Sequence, residues 1–205
     1  ECASEPCAGS VHMLCVGRLV PQKGFDRAIE AMVAIRAQRP TARLLVAGVG
    51  PEAQSLQALV ARLGLQEAID FLGLLNGDSV RQQMARSALV LMPSRYEGLP
   101  LVALEAAWAG RPVVASACAG LNEAVLADVT GVLVPEGDVP ALARAALALL
   151  EDQPRAARLG AAARTRAESE YSLDRYVSNC ESLYRFVSRS GGCAIAAPPH
   201  SSQLP

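Results

Sequence analysis

Apolar residues come in short runs separated by longer amphipathic stretches. The runs are VHMLCVG (11–17), ARLLVAG (42–48), AIDFLG (68–73), ALVLMP (88–93), PVVAS (112–116) and GVLVP (131–135). Each is strand-length and continuously apolar rather than alternating, as a strand covered on both faces must be. Segments of helical spacing lie between them. FDRAIEAMVAIRAQ (25–38) places Ile29, Met32, Val33 and Ile35 on one stripe, and EAQSLQALVARLG (52–64) closes on Gly64. SVRQQMARS follows Asp78, a residue type that caps helices. Pro100 at a first helical position and Gly110 just past the end frame a helix over 100–109. A short helix is predicted near 121–127, and helices fill 138–151, 154–170 and 173–189. Strands alternating with helices predict an α/β fold: a Rossmann-like, doubly wound parallel sheet of about six strands, with extra C-terminal helices. Residues 1–10 read as a linker or cut end, 11–190 as one domain, and the Gly/Pro/Ser-rich 191–205 as a disordered tail.

The bulk numbers narrow the class. The chain's 205 residues suffice for one domain with a sizeable core. Hydrophobic residues make up 51% but aromatics only 4%, so Ala, Leu and Val must fill that core. A net charge of −1 gives no basic field for nucleic acid. No apolar run approaches the roughly 20 residues of a membrane span, and no basic patch followed by an apolar stretch opens the chain. Six cysteines without C-x2-C spacing, beside two histidines, read as reduced thiols rather than disulfides or a zinc site. Cys15 reads as core, and Cys118 lies near a glycine-containing loop. A cytoplasmic location is expected.

In such a fold the chemistry belongs to the loops beyond the strand ends. GRLVPQKG (17–24) sets Arg18 and Lys23 around Pro21, just before a helix. Two cations there suit a diphosphate; two solvated loop cations are the plain alternative. AGVGPE (47–52) ends a strand on Gly48 and Gly50, which let a ligand approach the backbone. It lacks the third glycine of a dinucleotide fingerprint, and a simple turn explains it equally well. DFLG (70–73) offers a backbone edge beside Leu72 to a planar base, or merely ends a strand. In SACAGLNEAV (116–125), Asn122 and Glu123 fall in the first turn of the short helix, where Glu123 also complements the helix dipole.

EGLPLVALEAAWAG (97–110) is the most informative loop. Its helix is apolar on most faces and reads as buried, with Glu105 inside it and Glu97 in the loop before. A buried carboxylate is costly without a partner. Amides at Leu99, Leu101 and Val102 are free to point at an anion. Carboxylates bind vicinal hydroxyls, because each oxygen accepts from an adjacent O–H. A ligand with sugar hydroxyls at both ends and a diphosphate between would satisfy all three features.

These motifs, in this order and with GRPVVAS and TGVLVPEGDVPALARAALALL, resemble the C-terminal, donor-binding domain of retaining GT-B glycosyltransferases, the glycosyltransferase family 4 group. The resemblance runs from about Val11 to Ser188. E-G-x-P-x-x-x-x-E is this chain's form of the family's E-x7-E motif. The resemblance implies that Arg18 and Lys23 bind and stabilise the donor diphosphate. It implies that Glu97 contacts the transferred sugar, that Gly98, Leu99, Pro100 and Leu101 form the loop whose amides face the sugar and phosphate, and that Glu105 binds the ribose. Gly48, Gly50 and Leu72 correspond to positions lining the nucleoside, and Gly17 to a loop close to the donor. Ala119-Gly120 departs from the two glycines common in that loop. The implied reaction is metal- and cofactor-independent sugar transfer, with retention, from a UDP-, GDP- or ADP-linked sugar to a hydroxyl in glycan or glycolipid synthesis. The acceptor domain expected N-terminal to this one would lie outside the sequence or in a partner chain. Without it the chain is expected to be inactive, and through it to associate peripherally with the inner face of the membrane. A non-catalytic nucleotide-sugar-binding subunit is the competing reading.

Overall fold

A computed structural model describes residues 11–189; the linker and tail read at 1–10 and 191–205 fall outside them. The chain divides into two compact units, Glu1–Glu168 and Ser169–Pro205. The first holds six parallel strands: β1 (Val11–Val16), β2 (Ala42–Ala47), β3 (Ile69–Gly73), β4 (Leu89–Met92), β5 (Val113–Ser116) and β6 (Gly131–Val134). Their order is β3-β2-β1-β4-β5-β6. The order reverses between β1 and β4, so the loops leaving these two strands diverge and open a crevice at the carboxyl ends.

The helices are α1 (Phe25–Gln38), α2 (Ala53–Arg62), α3 (Gly77–Arg86), α4 (Leu101–Trp108), α5 (Ala119–Ala124), α6 (Val139–Glu151) and α7 (Gln153–Glu170). Strand side chains alternate between the faces. Met13, Leu44, Leu89 and Val114 meet α1, α2 and α6, while Leu14, Leu45, Val90 and Val113 meet α3, α4 and α5. The second unit carries α8 (Leu173–Arg189), with Leu173, Tyr176, Val177, Cys180 and Leu183 at the spacing of one helical stripe.

The sequence reading holds for the order and class of every element, and differs in four local ways. In α1 the buried stripe is Ala28, Ile29, Ala31, Met32 and Ile35, whereas Val33 points outward, 48% exposed. At 100° per residue, Val33 falls past Ile29, outside the edge of a stripe centred near Met32. Asn76, not Asp78, caps α3: its side-chain oxygen accepts from the Ser79 amide at 2.8 Å, leaving Asp78 in the first turn, paired with Arg81. Helix α5 starts at Ala119, earlier than predicted, so Ala119-Gly120 is helical and Asn122 and Glu123 stand exposed near its end. Finally, α4 is neither buried nor entered at Pro100. Pro100 is its N-cap, only Ala103 and Ala106 are buried, and Leu101, Glu105 and Trp108 are exposed.

Candidate functional site

The floor of the crevice is backbone packed on backbone. The Gly48 amide donates to the Gly73 carbonyl at 2.7 Å, Gly17 to Ala47 at 3.0 Å, and Leu19 to Val49 at 2.9 Å. These bonds carry the ladder beyond the strands and step down from β3 to β1. A Cβ on Gly48 would lie 1.8 Å from the Gly17 carbonyl oxygen, and one on Gly50 would lie 2.3 Å from that of Leu19. The sequence offers both glycines as points of ligand approach; the close approach they make is to neighbouring loops. Gly48 also lines a cavity of about 260 Å³, shared with Gly17, Arg18, Val49, Leu74, Leu75 and Val80. Leu72 lies on the strand before it and does not line it. Val46 pairs with Phe71 and Ala47 with Gly73, so Leu72 is an extra bulged residue outside the ladder. Arg18 is exposed on the cavity, and its guanidinium makes no ion pair or hydrogen bond among the described residues.

Across the reversal point, the loops after β1 and β4 are tied together. Pro21–Lys23 form one 3₁₀ turn, closed by Gly24 in the left-handed region at φ 65°. The Arg95 amide donates to the Gln22 carbonyl at 2.8 Å, and Gln22 Nε2 donates to the Tyr96 carbonyl at 3.1 Å. The Arg95 guanidinium reaches the Pro21 carbonyl and grips both oxygens of Asp26, at 3.1 and 2.7 Å. Burial pushes the Asp26 pKa up, but the bonds and charge of Arg95 outweigh it and hold it below the usual carboxylate value.

This seam brings Lys23 onto Glu97. Lys23 Nζ donates to the two carboxylate oxygens at 2.8 and 3.0 Å, and Ser94 Oγ donates to Oε1 at 2.7 Å. Glu97 is 8% exposed and Ser94 1%. The sequence puts Arg18 and Lys23 together and leaves Glu97 open in a loop. The structure pairs Lys23 with Glu97 and leaves Arg18 unpaired, because Gly24 and the Arg95 clamp turn the 21–24 segment toward the β4 loop.

The two glutamates thus exchange roles in burial. Glu97 is the buried carboxylate, held by Lys23 and Ser94. Glu105 is exposed, and its carboxylate has no hydrogen bond or ion pair among the described residues. Desolvation by its apolar neighbours raises the Glu105 pKa, and the charge of Arg81 on α3 partly opposes this. At the mouth of α4, Leu99 and Val102 donate to no protein acceptor among the described residues, whereas the Leu101 amide already donates to the Leu99 carbonyl at 3.0 Å. So two of the three amides read as free are free. The Gly98 carbonyl lies against Gly120, where a Cβ would come within 2.2 Å of it. Gly120 therefore sets the path of the loop carrying Gly98, Leu99 and Pro100. Cys118 at the head of α5 is buried, and desolvation raises its thiol pKa, which keeps it protonated and unreactive.

Sequence reasoning missed Ser94, Arg95 and Asp26, and named Gly120 only within a departure from the family's loop. A signal existed for one of them: a hydroxyl three residues before Glu97 is a natural local donor, once Glu97 is known to be buried. The contacts of the other three join separate loops or helices and leave no local trace. Among the described residues, no group of three or more His, Cys, Asp or Glu side chains is placed to hold a metal ion, and no helix is long and apolar enough to cross a membrane.

With this geometry in hand, comparison with known proteins is specific. The family described as Glycosyl transferases group 1 matches residues 8–166. Glycogen synthase of Mycobacterium tuberculosis is 35% identical over 187 residues, spanning 91% of this chain and 45% of that protein. Sucrose-phosphate synthase from Thermosynechococcus elongatus superposes with a TM-score of 0.82 at 30% identity, over 90% of this chain and 47% of that one. Anabaena HepE, crystallised with UDP and glucose, superposes with a TM-score of 0.79 at 26% identity, over 89% and 49%. The chain spans about half the length of the proteins it matches. The sheet and its helices are a Rossmann-like half of the GT-B architecture, and the chain belongs to the group 1 glycosyltransferase family.

Proposed function

We propose that this chain is the donor-binding half of a retaining, metal-independent glycosyltransferase, transferring a sugar from a nucleotide diphosphate sugar to a hydroxyl acceptor in glycan or glycolipid synthesis. The observation that carries the reading is the convergence at the reversal point: Lys23 and Glu97 meet at 2.8 Å beside a strand-end cavity bordered by an unpaired Arg18. A nucleoside fits the apolar strand-end cavity, with Gly48 and Gly17 as its floor and Leu72 behind it. The ribose hydroxyls go to Glu105, whose carboxylate is free and flanked by apolar surface. The diphosphate draws on Arg18, Lys23 and the free amides of Leu99 and Val102. Its charge grows as the sugar bond breaks, and fixed cations and amides stabilise such charge without reorganising. Glu97 meets the hydroxyls of the transferred sugar. The positive charge comes from side chains, so the reading requires no metal. A second, acceptor-binding domain is needed to complete the site, and this chain alone is expected to bind donor without appreciable turnover.

Calorimetric titration of the chain with UDP, GDP and ADP and their sugars tests this. One base series should bind, and Glu105→Ala should weaken the nucleotide and the nucleotide sugar equally. If the parent chain binds no nucleotide, the proposal is wrong.

A further inference from the structure

Ser94 is assigned no part by the family motif, yet it is among the most deeply buried polar residues of the described chain, at 1% exposure. Its hydroxyl carries one proton, and that proton goes to Glu97 Oε1 at 2.7 Å. Lys23 holds the same carboxylate at 2.8 Å on Oε1 and 3.0 Å on Oε2. Oε1 therefore accepts from two donors and Oε2 from one. The unspent accepting capacity of the carboxylate lies mainly on Oε2.

We propose that Ser94 is a positioning residue for donor-sugar recognition: it pins Oε1 so that Oε2 faces the hydroxyls of the transferred sugar. Lys23 alone cannot do this. An ammonium is a point charge on a flexible stem and does not distinguish one carboxylate oxygen from the other. Without the Ser94 hydroxyl, Lys23 still bridges both oxygens, but nothing favours one oxygen over the other, so the carboxylate is free to shift about the ammonium and Oε2 no longer faces the sugar. Ser94 thus acts through Glu97 on the sugar and leaves the nucleotide untouched. The inference rests on the donor-binding reading above and adds to it the residue that orients the sugar contact.

The test compares affinities within one variant. The parent and Ser94→Ala are titrated with UDP against UDP-glucose and with GDP against GDP-mannose, using the pair the parent binds. Free nucleotide should bind Ser94→Ala within about twofold of the parent, which also shows that the variant is folded. The preference for nucleotide sugar over nucleotide should fall about tenfold, the scale of one hydrogen bond to a charged group. Ser94→Thr, which keeps the hydroxyl, should restore it. An equal loss for nucleotide and nucleotide sugar would make Ser94 merely structural and overturn the inference, as would an unchanged preference. A parent that binds no nucleotide instead overturns the donor-binding reading itself, so the two failures are distinct.

Discussion

On one face of the sheet, α1, α2 and α6 bring Ile29, Met32, Ile35, Leu56 and Leu147 against Met13, Leu44 and Val46. On the other, α3, α4 and α5 meet Leu14, Val90 and Val113 with Met84, Ala103, Ala106 and Leu121. Helices α1, α2 and α6 fill the first face mostly with large side chains, whereas on the second face α4 buries only the alanines Ala103 and Ala106. A helix that buries a stripe of alanines needs little of its circumference for the core. The remainder of α4 is left to present Leu101, Glu105 and Trp108 outward. The face that contributes less to burial therefore has more surface to give to a ligand.

If the division holds, substitutions on the two faces separate stability from binding. The largest effect belongs to the first face. Ile29→Ala, at a side chain with 0% exposure, should cost about 4 kcal/mol in urea denaturation, while nucleotide affinity of the folded protein stays unchanged. Next comes the seam between the loops. Lys23→Ala strands a buried carboxylate and should cost about 3 kcal/mol. Adding Glu97→Gln should recover most of that stability in the same denaturation measurement, without restoring binding.

On the alanine face, Ala106→Leu should cost about 2 kcal/mol by overpacking. It should also displace α4 enough to weaken nucleotide binding. A stability loss with unchanged affinity there would erase the contrast between the faces. The smallest effect is at Glu105. Its raised pKa means the folded state holds its proton more tightly than the unfolded chain does, so ionisation opposes folding. Glu105→Gln should thus be stabilising at pH 7, by no more than about 0.5 kcal/mol as for most surface changes, while nucleotide affinity drops. The advantage should vanish in melting curves taken as pH falls below the ordinary glutamate value of about 4.3.

The architecture was legible because parallel strands buried on both faces leave unbroken apolar runs, and because the helical stripes of α1 and α2 lie between them, with Gly64 just past the end of α2. The burial of α4 was not. LVALEAAW is apolar all round, and which stripe turns inward is decided by the shape of the sheet opposite, where only Ala103 and Ala106 fit. The same limit exchanged the two glutamates. Glu105 sits among apolar neighbours in sequence but outside them in space, and Glu97 sits among polar ones but beneath Lys23 and Ser94. Burial of a single residue depends on contacts such as Lys23 to Glu97, 74 positions apart, which no window of sequence contains. Position in the fold was easier to read than exposure: apart from Leu72, which lies within β3, the motif residues follow the strand ends.

The backbone-on-backbone floor has a consequence for descent. At Gly48, Gly50 and Gly120 any missense change adds a Cβ, and each such atom would fall within 2.3 Å of a neighbouring carbonyl oxygen. No intermediate substitution is open to these codons, so the floor is inherited whole or lost. The side chains of Tyr96, Leu99 and Leu101 are exposed, carry none of the proposed ligand contacts, and can be exchanged one at a time. A lineage built on this domain can therefore vary the exposed side chains around its site while the surface beneath the ligand stays constant.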